Sequence, residues 1–430
     1  MVRLEEQKQA SQDKSIEKLP LPLKVYLPLV QHMGKASLAL VNAGDIVCLG
    51  QQIANVDANV SAPIHASVSG KVAAIQDWPH PVLGRCKAVV IENDNQDRTE
   101  NREPRTEEEI KNLSPEQIRK IIREAGIVGM GGACFPTQVK LNPPKPVDSL
   151  IINGAECEPY LTSDYRLMLE KTEEILSGIE LVAKCLKAKF IYIAIEDNKP
   201  EAIEKFRVQS SCLSGRQVEF RVKVLKSAYP QGGEKQLIKN ILKREVPSGK
   251  LPFDVGVVVQ NVATVFAIYE AVYKNKPLYE RVVTVTGSCI ANPKNLLVRL
   301  GTPVKDLIAF CGPLKEEPEK IIIGGPMMGI AQYTDEVPVI KSSGGVILLN
   351  KKEAQEKEEE FCIRCGACVR ECPVGLMPCL INLASEKWLW PQAKIYGALD
   401  CIECGLCDYV CPAKRRLVQS IKRAKLEVVK

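Results

Sequence analysis

Near the C-terminus, FCIRCGACVRECP places Cys362, Cys365, Cys368 and Cys372 at the spacing C-x2-C-x2-C-x3-C, with Pro373 next. CIECGLCDYVCP repeats the pattern with Cys401, Cys404, Cys407, Cys411 and Pro412. Thiolates this close together, in runs this short, demand an inorganic partner. Three of them in a tight loop bind one face of a 4Fe-4S cube, so this part of the chain folds around metal rather than around an apolar core.

Two other readings of the cysteines are weaker. Zinc also takes C-x2-C pairs, but it closes its shell with four ligands and gives no reason for a doubled run with a following proline. Disulfides fail because the thiols lie too close in sequence for an ordinary framework. The spacing resembles that of bacterial two-cluster ferredoxins, in which the fourth cysteine of each run serves the other cluster. That pairing implies Cys362, Cys365, Cys368 and Cys411 on one cluster, and Cys372, Cys401, Cys404 and Cys407 on the other. Cys379 is left over and reads as a partly apolar filler.

Composition narrows the rest. The chain has 430 residues, room for several domains, with 45% hydrophobic residues and a net charge of +6. No basic–aromatic patch suggests nucleic acid. The start, MVRLEEQKQASQDKSIEKLPLP, is too polar for a signal peptide. VGVVVQNVATVFAIYEAVY, the most apolar stretch, is interrupted by Gln260, Asn261, Thr264 and Glu270 and falls short of the roughly 18 apolar residues of a membrane span. Seventeen cysteines suit a reducing compartment.

The chain reads as multidomain α/β and α+β. Residues 1–19 form a polar N-terminal extension. Residues 20–93, with NAGDIVCLGQQIA and SAPIHASVSGKVAAI, read as hairpins. They resemble the halves of a biotinyl/lipoyl-type barrel-sandwich domain, but the connecting NVDANV has no lysine to carry a swinging arm. Within this region Trp78-Pro79-His80-Pro81 reads as a surface loop. A charged linker covers 94–113. An α/β domain, 114–275, starts at LSPEQIRKIIREAG, with Ser114 as N-cap, Pro115 at the first helical position and Gln117 completing a capping box. SLIIN, FIYIAI and VGVVVQ are buried-strand runs, and KPEAIEKF and GEKQLIKNILKRE are helices between them. Residues 276–350 form a further strand-rich domain, 351–413 the cysteine module and 414–430 a basic C-terminal helix.

A loading site for the clusters is suggested by four loops. GIVGMGGACFPTQVK has Gly129, Gly131 and Gly132, whose backbone N–H groups can cradle a phosphate. NGAECEP puts Asn153, Glu156 and Glu158 at a strand end, where open α/β sheets bind ligands. YPQGGEKQL adds Gly232, Gly233 and Glu234 before a helix, and QNVAT adds Asn261 and Thr264. Four such loops at strand ends imply one cleft.

These loops resemble those of the flavin-binding 51 kDa subunit of respiratory complex I: GRGGAGFPTGLK, NADESEP, YICGEETAL and NNVET. Residues 276–350 resemble that family's soluble-ligand-binding β-grasp domain. The module order of barrel-sandwich, flavin domain, β-grasp and two-cluster ferredoxin-like helical module resembles the C subunits of Rnf-type ion-translocating ferredoxin:NAD oxidoreductases. The resemblance implies noncovalent FMN lined by Gly129, Gly131, Gly132, Lys140, Asn153, Gly232, Gly233, Asn261 and Thr264, with Glu156 in the same loops. It implies NAD(H) against Phe135, Glu158 and Glu234. It also implies membrane and ferredoxin-like partner subunits and a peripheral place on the cytoplasmic face of the membrane. Met130 and Cys134 depart from the family's Arg and Gly, and Gln260 and Ala263 from its Asn and Glu. Two alternatives stand beside this reading: a flavin and iron–sulfur reductase of another acceptor, resembling the cobalamin reductase or the proline-reductase feeder, and a non-enzymatic electron wire.

Overall fold

A computed structural model describes residues 2–100, 103–211, 219–355 and 358–429. The positions of the expected N-terminal extension, linker, cysteine module and C-terminal helix that fall on 1, 101–102, 356–357 and 430 lie outside the described residues.

The first module packs two small antiparallel sheets. One has the order Lys24–Pro28, Gly84–Asn93, Gly70–His80, Ile46–Val47; the other runs Leu38–Ala39, Gln52–Asn55, Ile64–His65. Alternating apolar residues, among them Val25, Leu27, Ile53, Ile64, Val72 and Ile91, fill the space between them. Trp78-Pro79-His80 is not a surface loop. It is the end of the long hairpin strand, with Trp78 stacked on Tyr26 at 3.9 Å between ring centres. His80 is buried, its Nε2 2.9 Å from the Val30 carbonyl and its Nδ1 accepting from the N–H groups of Val82 and Leu83. The Pro-rich composition hid a strand that ends in a satisfied core histidine.

The linker region is partly ordered as the helix Glu107–Asn112, capped by Thr106 and Glu109 in a capping box. The next helix, Pro115–Glu124, has the same device at Ser114 and Gln117, and stops before Gly126, whose φ is +68°. The α/β domain that follows holds a four-stranded parallel sheet in the order Glu219–Leu225, Phe190–Glu196, Ser149–Gly154, Val257–Asn261. The last three are the expected apolar runs. Glu219–Leu225 was not anticipated. As an edge strand it alternates, sending Arg221 and Lys223 over the rings of Phe190 and Tyr192.

The third module is a six-stranded mixed sheet, ordered Ile16–Lys18, Lys294–Arg299, Glu280–Thr286, Gly345–Leu349, Lys320–Ile323, Ile330–Gln332. Its first strand comes from the N-terminal segment, which is therefore docked rather than extended. Ile16 pairs in parallel with Asn295, Ser11 Oγ lies 2.8 Å from Thr162 Oγ1, and Lys8 Nζ donates to the carbonyls of Glu156 and Leu161 at 2.6 Å. Polar residues do this by hydrogen bonding across modules, so their composition reads as solvated.

Lys341 joins three modules. Its fully buried Nζ donates to the carbonyls of Pro63 at 2.8 Å and Gly126 at 2.6 Å. Burial pushes its pKa down to about 7. The unfolded chain therefore holds a proton that the folded chain releases, so this group adds stability as pH rises from about 7 towards 10.5. Lys341→Met leaves two buried carbonyls unpaired; it is expected to lower the unfolding free energy by about 2–4 kcal/mol and to flatten that rise, both measurable by denaturant melts across pH.

Candidate cofactor sites

The cleft is assembled by the chain's own polar groups. Gly129 N–H donates to the Phe135 carbonyl at 2.9 Å and Cys134 N–H to the Gly129 carbonyl at 3.1 Å, closing the glycine loop on itself. Met130 N–H donates to Thr264 Oγ1 at 2.9 Å, which fixes the loop to the first turn of the helix Val262–Tyr273. Asn261 caps the helix Val262–Tyr273 through Oδ1 and donates Nδ2 to Asp164 Oδ2 at 2.6 Å. A side chain at Gly131 would sit 3.3 Å from Asn261 Cβ, so the small residue lets the loop lie against it. Asn153 Nδ2 donates to the Gly232 carbonyl at 2.9 Å, and Gly232 N–H donates to Cys157 Sγ at 3.3 Å. Gly233 is the N-cap of the helix Glu234–Leu242, and Glu234 pairs with Lys140 at 2.5 Å. The four loops therefore meet at the carboxyl ends of the parallel strands, as their spacing implied.

Two acidic residues are engaged within the chain. Glu156, at φ +46°, accepts from the N–H groups of Asp164 at 2.7 Å and Tyr165 at 3.2 Å, capping the helix Ser163–Glu170. Glu158 accepts from Met327 N–H at 3.1 Å and Met328 N–H at 2.9 Å, locking the cleft onto the β-grasp module. Burial pushes its pKa up to about 7. Phe135 is half-buried in the loop turn. Sequence reading missed Asp164, whose carboxyl burial and the neighbouring Glu156 hold above the usual range. It also missed the buried Lys199, which donates to the Ala155 carbonyl at 2.7 Å behind the same loop. Only an acid shortly after NGAECEP and a lysine after FIYIAIE hinted at either.

The cleft suits a flavin mononucleotide. Gly131 and Gly132 leave backbone exposed where a phosphate can approach, and the buried Gln260 Nε2, at the strand end, has no partner among the described residues.

The cysteine module is built twice. A left-handed residue, Arg364 or Glu403, precedes the second cysteine of each run, and a left-handed glycine, Gly366 or Gly405, follows it. Each run continues into a short helix, Ala367–Arg370 or Leu406–Tyr409, then a longer one, Pro378–Glu386 or Leu417–Val429. Leu376 N–H donates to Cys372 Sγ at 3.3 Å and, equivalently, Arg415 N–H to Cys411 Sγ at 3.4 Å. Cys372, Cys401, Cys404 and Cys407 line one recess of about 340 Å³, solvent-open space included. This brings the fourth cysteine of the first run beside the trio of the second, the arrangement that the two-cluster resemblance implies. Burial pushes the Cys404 thiol up to about 11. Such a thiol needs the charge of bound iron to become a ligand, which fits a cluster rather than a reactive nucleophile. Cys379 is half-buried and packs with Val369 against Cys368, Cys407, Leu417 and Val418, in line with its reading as a spare apolar residue. The C-terminal helix Leu417–Val429 packs on Pro378–Glu386 and belongs to this module through Ile421 and Ala424.

The module abuts the cleft. Tyr229 Oη donates to the Cys404 carbonyl at 2.7 Å, and Gln236 Nε2 to the Pro373 carbonyl at 3.0 Å. Tyr229, Cys404 and Leu406 form a small buried cluster with Cys157 and Met327 packed on it.

Comparison with known proteins agrees with this architecture. Family models match as an RnfC barrel sandwich hybrid domain over residues 2–96, a Nuo51 FMN-binding domain over 122–270, an SLBB domain over 282–331 and a 4Fe-4S binding domain over 356–376. The chain is 49% identical over 429 residues to the C subunit of the proton-translocating ferredoxin:NAD(+) oxidoreductase complex of Clostridium ljungdahlii, covering 99% of this chain and 93% of that protein. The chain belongs to the RnfC family. The Na(+)-translocating counterpart of Acetobacterium woodii is 44% identical, with 95% of this chain and 91% of that protein covered. Among solved structures, an NAD+-reducing NiFe-hydrogenase matches with a TM-score of 0.54 at 17% identity, over 73% of this chain and 63% of that one, a likeness of fold alone. As an RnfC chain this is an electron-transfer component of an oxidoreductase complex, with FMN and 4Fe-4S modules.

Cross-ligation has a direct test. Cys372→Ala, in the first run, is expected to remove the cluster held by the second run and about half the iron, and Cys411→Ala the other; iron content and cluster electron-spin resonance of each variant distinguish this from ligation within each run. Glu158 gives a second expectation. Its raised pKa means that the folded chain binds a proton the unfolded one has lost, so its contribution falls as pH rises from 4.5 through about 7. Glu158→Gln is expected to remove that fall in melts across this window.

Proposed function

We propose that this chain carries electrons between NAD(H) and a membrane-bound complex, through FMN and two 4Fe-4S clusters, with the cluster of Cys372, Cys401, Cys404 and Cys407 nearest the flavin. The carrying observation is the Tyr229 bridge, which ties the turn of the cleft to the backbone of Cys404. FMN, when bound, takes electrons in pairs from a nicotinamide and gives them up singly to a cluster.

The chain's residues do the rest. Gly129, Gly131 and Gly132 offer backbone donors to the phosphate, while Asn153, Lys140, Gly232, Gly233, Asn261, Thr264 and Glu156 shape the walls around the ring and ribityl chain. Phe135 and Glu234 face the nicotinamide nucleotide, with Glu158 at the edge of its path. Buried Tyr229, with the partly buried Cys157 and Met327 packed on it, keeps water out of the space between flavin and cluster. Cys362 and Cys365 are exposed, beside Phe361 and Ile363, which suits the second cluster to exchange with a partner protein. The curated relatives are named as complex subunits that act with ferredoxin and NAD(+), and the same partners are proposed here. Among the described residues no helix is long and apolar enough to cross a membrane; association on the cytoplasmic face through partner subunits completes the proposal.

Anaerobic titration of the FMN- and iron–sulfur-loaded chain with NADH decides the matter. Bleaching of the flavin followed by loss of cluster absorbance is expected. Flavin and clusters that respond to a low-potential donor but not to NADH would remove the nicotinamide from the scheme.

A further inference from the structure

The cysteine module carries an outward patch that the electron path does not use. Trp388 lies between the helices Pro378–Glu386 and Trp390–Ile395, 66% exposed, in a left-handed conformation of φ +61° that a bulky side chain rarely adopts. Leu389 beside it is 50% exposed. The Arg423 guanidinium lies 4.6 Å from the Trp388 ring centre and 5.7 Å from that of Trp390, so the C-terminal helix presents its basic face at the same place. Leu426, one turn on from Arg423, is 69% exposed, and Val429, one further turn on, is 75% exposed. Lys387 and Lys394 are exposed around these residues. The nearby acids are taken: Glu386 pairs with Arg415, and Glu403 with Lys422 and Lys425.

We propose that this patch rests on an anionic lipid surface. The chemistry is that of an interfacial contact: amphipathic tryptophans, flexible aliphatic tips and long basic side chains, with Glu386 and Glu403 paired within the chain. Anionic headgroups complement Arg423 and the lysines, and the acyl boundary takes Trp388, Leu389, Leu426 and Val429. The patch is a turn tip beside a helix end. The inference goes beyond the electron-transfer reading and does not need it.

The test uses the full, cluster-loaded chain and phosphatidylcholine vesicles with or without phosphatidylglycerol. Cosedimentation with the anionic vesicles, much reduced on the neutral ones and by salt, is the expected result. Brominated acyl chains should quench tryptophan emission from the module, while Trp78, stacked on Tyr26 in the first module, stays unquenched. Trp388→Ser with Leu426→Ser is expected to weaken partitioning about tenfold, and Arg423→Gln about fivefold. Circular dichroism and NADH bleaching, both expected to be unchanged, show that the variants are folded. No partitioning to anionic vesicles, partitioning indifferent to these substitutions, or capture only by the membrane subunits of the complex in detergent would each overturn the proposal. A chain that partitions but is not reduced by NADH would overturn the functional reading alone.

Discussion

The hydrogen bond from buried Tyr229 to the carbonyl of Cys404 sets how this protein can work. It joins the two chemistries described above, a glycine-lined cleft at the end of a parallel sheet and a thiolate cage. A neutral phenol in an apolar pocket is a strong positional constraint, because the unpaired hydroxyl would be costly there. Around it the other modules take their places. Met327 reaches in from the β-grasp sheet, Val2 and Leu4 from the N-terminal segment, and Glu158 fixes the Met327–Met328 turn. Electron transfer falls steeply with distance, so a joint that cannot drift is worth more to this fold than any single catalytic group.

The β-grasp and barrel-sandwich modules act as clamps. Lys341 ties them to the flavin domain by hydrogen bonds to main-chain carbonyls, on top of an apolar core that runs through all three modules. Such ties are directional. They fix orientation more tightly than contact between apolar faces, which tolerates sliding.

What was legible in the sequence was local chemistry. The cysteine spacings, the glycine loop and the capping box at Ser114 and Gln117 each carry their meaning within a few residues, and each is found as expected. The strand Glu219–Leu225 was missed because an edge strand alternates polar and apolar residues and so resembles a loop. The N-terminal segment and Trp78–His80 were misread because their partners lie far along the chain: Ser11 is satisfied by Thr162, and His80 by Val30. The four loops meet as expected, but the engagement of Glu156 with a helix N-terminus and of Glu158 with Met327 and Met328 depends on how modules dock, which no short motif encodes.

The pairing that the two-cluster resemblance implies, with the fourth cysteine of each run serving the other cluster, bears on how the protein is made. A ribosome releases Cys362, Cys365 and Cys368 well before Cys411 exists. Three thiolates can hold a cube only with a vacant corner, open to oxygen and to loss of iron. On that pairing the first cluster gains its fourth ligand only once the chain is nearly finished, after every ligand of the second has been made. On that pairing, completion of the first cluster is an event at the end of synthesis.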